Sequence, residues 1–156
     1  MLKAFADRLI DICARDAEQM AQRWHENLIG NPRTASYRLI PAETCQRHAC
    51  YIYKNLGKMY FAENCYQAMM HTLDVVGFAE DNFARGIPLE EAIYALVLMR
   101  RAIWLHSEQQ SLYNTGEDMI ELIQSINRIL VLFDYATHIV ATKYREMSGK
   151  TVKLYR

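Results

Sequence analysis

The sequence predicts an all-α fold, a single-domain bundle of about five helices, on three observations. Apolar residues recur at helical spacing along most of the chain. No stretch shows the apolar–polar alternation of a strand. Only 6 glycines and 3 prolines interrupt 156 residues, which favours long helices. With 51% hydrophobic and 23% charged residues the chain is globular rather than disordered. Its length suits one core. Residues 1–148 are expected to form the helical domain, and residues 149–156 a short basic tail.

The first helix is expected from Lys3 to Leu28, with Phe5, Leu9, Ile12, Cys13, Met20, Trp24 and Leu28 on its apolar face. Gly30 fits its C-terminal cap, and Pro32 blocks continuation. The stretch from Gly30 to Tyr37 reads as the least helical of the chain and as a loop. Pro41 precedes a second helix, Ala42 to Tyr60, weakened near its end by Gly57. A third covers Cys65 to Ala84, interrupted by Gly77. Gly86 then closes a turn.

Pro88 opens the central helix, where its missing N–H costs nothing, and Glu90 and Glu91 meet the positive end of the helix dipole. Leu89, Ile93, Leu96, Ile103 and Ser107 form its stripe, with Arg100 on the same side. This helix is expected to end near Tyr113. After a break at Asn114-Thr115-Gly116, Thr115 is expected to cap a last helix, Glu117 to Met147. Its core-facing side is read as Ile120, Ile123, Ile126, Asn127, Leu130, Phe133, Asp134, Thr137 and Ala141. Ser148-Gly149 is expected to end it.

Charge excludes some partners. Lys plus Arg and Asp plus Glu number 18 each, so there is no net pull toward nucleic acid or an anionic surface. No apolar run approaches the roughly 20 residues that span a bilayer, and Asp7 and Arg8 interrupt any export signal. A cytoplasmic protein is expected, its 4 cysteines being free thiols.

Candidate chemistry centres on Arg100 and Asp134. Each lies on the expected core side of a long helix, and a short break makes those helices antiparallel neighbours. At roughly 1.5 Å per residue their offset is about 9 Å, within reach of a long side chain. A partly buried ion pair that fixes helix register is the plainer reading. An anion-binding site at Arg100 is the functional one, with Trp104, Asp134, Tyr94 and Trp24 completing the expected ligand-binding set. No two of the five histidines lie three or four apart, so no local metal pair exists. Cys45-x-x-His48-x-Cys50 does not converge as a closed zinc site requires. A lone histidine in a helical protein suggests haem ligation, for which His106 and His71 are the candidates. No nucleophile stands near a base, no Glu-x-x-His pair serves a di-iron bundle, and Ser148-Gly149-Lys150-Thr151 lacks the upstream glycine and strand of a phosphate loop.

Several segments carry a family resemblance. They are Trp24-His25 with Asn31-Pro32-Arg33-Thr34, Tyr53-x-Asn55-Leu56, and Gly86-Ile87-Pro88-Leu89-x-Glu91-Ala92. Leu98-x-Arg100-Arg101-x-Ile103-Trp104 and Phe133-Asp134-Tyr135 complete the set. Together they resemble the RsbRD N-terminal domain family, the helical input domain of RsbT co-antagonist proteins. The resemblance implies a bacterial sensory or regulatory input domain without enzymatic chemistry, acting in stress-response signalling through protein partners. A homodimer through helix faces is expected with it. Such domains precede an output domain, often of the STAS type, for which this chain leaves no room. A stand-alone regulator, or one whose output partner is another chain, is therefore expected.

Overall fold

The computed structural model describes residues 2–110 and 116–154, with side chains described for residues 5–110 and 116–149. Among the described residues every regular element is helical. The all-α expectation therefore holds, but the count of about five helices does not. The described residues form eight α-helices and one 3-10 helix: α1 (Leu2–Arg15), α2 (Ala17–Gly30), the 3-10 helix Pro32–Leu39, α3 (Ala42–Lys54), α4 (Leu56–Tyr60), α5 (Cys65–Val76), α6 (Phe78–Ala84), α7 (Leu89–Gln109) and α8 (Gly116–Leu154).

The difference comes from single-residue bends that apolar periodicity runs straight through. The expected first helix breaks at Asp16 (φ −101°, ψ 18°), whose carboxylate is engaged elsewhere in the fold. The second breaks at Asn55 (φ −102°, ψ 9°), whose side-chain amide donates to the Tyr51 carbonyl instead of continuing the helix. The third breaks at Gly77, where φ is +70°, a conformation open to glycine at little cost. Gly30 does not cap by a left-handed turn. The chain leaves α2 at an extended Asn31, whose side-chain oxygen accepts the Arg33 N–H at 2.9 Å. The stretch read as a loop is thus largely the 3-10 helix. Inside it Thr34 and Tyr37 are buried, and the Thr34 hydroxyl donates to the Leu28 carbonyl at 2.7 Å.

Gly86 does close α6. With φ at +77°, its N–H donates to the Phe83 carbonyl and the Ile87 N–H to the Asn82 carbonyl, a Schellman arrangement. Pro88 then sets the entry to α7, and Glu91 in the first turn reaches back to the 3-10 helix, accepting the Ser36 N–H at 2.9 Å and the Ser36 hydroxyl. The break at residues 111–115, including the expected Thr115 cap, lies outside the described residues. Ser148 and Gly149 do not end α8, which runs on to Leu154.

α7 is the spine of the bundle. It packs against α2 and α8 and buries Ala92, Ala95, Leu96, Leu98, Met99, Ile103, His106 and Ser107 along one side. Two large aromatics from neighbouring helices are pinned to its carbonyls. The Trp24 indole N–H of α2 donates to the Ala95 carbonyl at 2.9 Å, and the Tyr53 hydroxyl of α3 donates to the Met99 carbonyl at 2.9 Å. A third, Tyr144 of α8, donates to the Ile87 carbonyl just before α7. Each bond satisfies a polar atom that burial would otherwise penalise.

α8 corrects the expected core face. Its buried side is Leu122, Ser125, Ile129, Leu132, Phe133, Ala136, Ile139, Val140 and Tyr144. Of the stripe read from the sequence, only Phe133 is fully buried, while Ile120, Ile123, Asn127 and Asp134 are exposed. The helix is turned so that those four face outward, while Ile126, Leu130, Thr137 and Ala141 are half-buried at the edge of the core.

Candidate ligand cleft between the second and seventh helices

The Arg100–Asp134 pair does not form. Asp134 points outward on α8, and Arg100 is half-buried on α7 without it. The physical reason is the rotation of α8: the offset along the axis was within reach, but the angular position was wrong. Tyr94 and Trp104 are half-buried on α7, and neither they nor Arg100 line the cleft described next. Trp24 and His106, which belonged to two different expectations, do meet. They line one cleft of about 120 Å³ between α2 and α7.

The cleft follows from matched helical spacing. Met20, Arg23, Trp24 and Asn27 stand on one side of α2, at intervals of three and four. Ala102, Leu105, His106 and Gln109 face them from α7 with the same spacing. Met20, Trp24 and Ala102 give an apolar floor. Arg23 and Gln109 bridge the rim, with Arg23 Nη1 donating to Gln109 Oε1 at 2.7 Å.

His106 is held by a relay that crosses the bend between α1 and α2. Its Nε2 lies 2.8 Å from Asp16 Oδ2. Arg15 grips the same carboxylate with two bonds of 2.9 Å, from Nε and Nη2. That guanidinium, with a smaller part from His106, holds the Asp16 carboxyl down at about 2. Asp16 is therefore a pure acceptor, and Nε2 of His106 carries the proton. Nδ1 is buried and has no partner.

This geometry does not suit haem. The imidazole nitrogen with a partner is committed to Asp16, and the other is buried. An enclosed space of about 150 Å³ is filled by a benzene, so a cleft of about 120 Å³ leaves no room for a porphyrin. His71, the other candidate, is exposed on α5.

A second Arg–Asp–His cluster lies across the fold. His48 of α3 is buried, with Nε2 at 2.7 Å from Asp81 Oδ2 of α6, and Arg47 donates to the same oxygen at 3.1 Å. That contact removes His48 from any zinc set with Cys45 and Cys50, both of which are free thiols. A wide, open depression of about 700 Å³ runs between the α1–α2 bend and α3. Arg15, Arg47, Glu18 and Glu43 give it mixed charge, which selects no ligand class.

Sequence reasoning found Trp24 and His106 but missed Asp16, Arg23, Asn27 and Gln109. Asp16 sits beside Arg15 on the charged side of what apolar spacing alone presents as one continuous helix. Compared with known proteins, the chain matches no family model, no curated protein and no solved structure. Among the described residues no helix is long and apolar enough to cross a membrane.

Burial of these groups sets a pH window. Burial holds His48 and His25 below the ordinary histidine value of 6.5, and for His48 this outweighs the opposing pull of Asp81. The unfolded chain takes up those protons first, so stability is full above pH 6.5 and is lost as pH falls below it. At the other end, burial pushes the Cys13 thiol up to about 12 and the Cys45 thiol to about 11, from an ordinary 9.0. The unfolded chain releases those protons first, so stability is full below pH 9.0 and is lost above it. Urea midpoints are expected to be flat across this window and to fall on both sides. A midpoint that holds constant well below the lower limit contradicts the histidine half.

Proposed function

We propose that this chain is a non-enzymatic regulatory input module that works by protein–protein contact, and that the outward face of α8 makes the contact with a second copy of the chain. The observation that carries this reading is the apolar surface left open on that helix. Met119, Ile120, Ile123 and Val131 are 38%, 58%, 48% and 45% exposed within a short span. Scattered exposed apolar residues are ordinary, but a contiguous group on one helix face marks an interaction surface.

The spacing suits a copy of itself. Ile120, Ile123, Asn127, Leu130 and Asp134 follow the alternating three- and four-residue steps of a heptad seam. A polar Asn at such a position fixes register and partner number between paired helices, at some expense of affinity. The patch amounts to a few hundred Å² per copy, below the total of about 1,000 Å² expected of a firm interface. Self-association is therefore expected to be weak and concentration-dependent. The resemblance to the RsbRD N-terminal domain family supports the regulatory half of the reading.

Sedimentation equilibrium over a wide concentration range tests it. Wild-type protein is expected to pass from monomer to dimer, Ile123→Glu to stay monomeric with an unchanged melting curve, and Asn127→Leu to associate more tightly. A wild-type mass equal to one chain at every concentration refutes the proposal, as does an Ile123→Glu variant that still dimerises.

A further inference from the structure

The cleft between α2 and α7 has the features of a small-ligand site, and its chemistry is specific. Its floor of Met20, Trp24 and Ala102 is apolar and preformed. Trp24 cannot swing away, because its indole N–H is tied to the Ala95 carbonyl. His106 cannot either, because Asp16 holds its ring. Leu105, 44% exposed, stands at the mouth.

The rim supplies a cation without a counter-ion. Arg23 has Gln109 as its hydrogen-bond partner and forms no ion pair among the described residues. Arg15, by contrast, is neutralised by Asp16. A guanidinium that borders an apolar cleft and is free of carboxylates matches one chemistry: an anionic head on an apolar body. Its planar fork favours a carboxylate, which it binds through paired hydrogen bonds. A space of about 120 Å³ takes a body no larger than a benzene ring or a short alkyl chain.

We infer that this cleft binds a small organic monocarboxylate, with Arg23 taking the carboxylate and Trp24, Met20 and Leu105 enclosing the apolar body. The site replaces Arg100, the anion anchor expected from the sequence, with a residue one helix away. It is independent of the α8 contact, so either can fail alone.

Benzoate and pentanoate are the probes, read by the indole N–H of Trp24 in a nitrogen–proton NMR spectrum. A Trp104→Phe variant assigns that signal, since the chain has 2 tryptophans. Both acids are expected to shift the Trp24 signal in a saturable manner, and the neutral amides of the same shape to bind about tenfold or more weakly. Arg23→Gln is expected to lose about tenfold or more in affinity for the acids with its melting curve unchanged. Leu105→Trp, at a position that tolerates bulk, is expected to fill the cleft and block both. The inference is overturned if neither acid moves the signal at millimolar concentration, if the amides bind as well as the acids, or if either variant binds benzoate as wild type does.

Discussion

Leu122→Asp is expected to unfold most of the protein, while Ile123→Asp, one residue along, is expected to change its stability by less than about 0.5 kcal/mol. Leu122 is 0% exposed and points from α8 into the bundle. Replacing it removes the transfer and packing energy of a buried leucine, about 2–5 kcal/mol. It also places a carboxylate at a fully buried position, which adds several kcal/mol or forces the group to stay protonated. The sum is comparable to the whole stability of a typical domain, roughly 5–15 kcal/mol. Ile123 lies about 100° further round the helix and stands 48% exposed, so a charge there meets water. Urea denaturation followed by circular dichroism measures both. A reversed order, with Ile123→Asp the damaging change, would restore the core face first read from the sequence and remove the basis for the α8 contact.

Trp24→Ala carries the next largest effect, an expected loss of about 3–5 kcal/mol. The indole is 1% exposed and pins α2 to the middle of α7. Truncation leaves a large void beside Met20 and His106 and removes the bond to the Ala95 carbonyl. In a domain of this size about 1 kcal/mol moves the melting temperature by roughly 2–4 °C, so a fall of about 6–20 °C is expected. Trp24→Phe separates the two terms, because it keeps most of the volume and loses the bond, and it should cost about 1–2 kcal/mol. Equal melting temperatures for Trp24→Phe and Trp24→Ala would mean that the hydrogen bond, and not the packing, holds α2 to α7.

Much of this fold was legible in the residues. The α1 and α2 face of Phe5, Leu9, Cys13, Met20, Trp24 and Leu28 is buried as expected, because those helices have one apolar side and one charged side. Gly77, Gly86 and Pro88 punctuate the chain where backbone chemistry requires it. The bends at Asp16 and Asn55 were not legible, since a bend that costs no apolar spacing leaves no trace in periodicity. In the candidate site, Trp24 and His106 were each visible as unusual residues, but nothing in one dimension joined them. The rim residues Arg23 and Gln109 looked like ordinary surface, which each is until the other helix arrives.

The sequence by itself determined the all-α class and the faces of those helices that are apolar on one side only. The tertiary structure alone decided which side of α8 faces the core, which histidine meets Asp16 and where an unpaired arginine borders an apolar cleft. The physical reason is the same in each case. α8 has leucine, isoleucine and valine on both sides, so its periodicity defines a helix without defining its rotation. Rotation is set by what packs against it, α7, α5 and α1, and no pattern within α8 encodes those contacts.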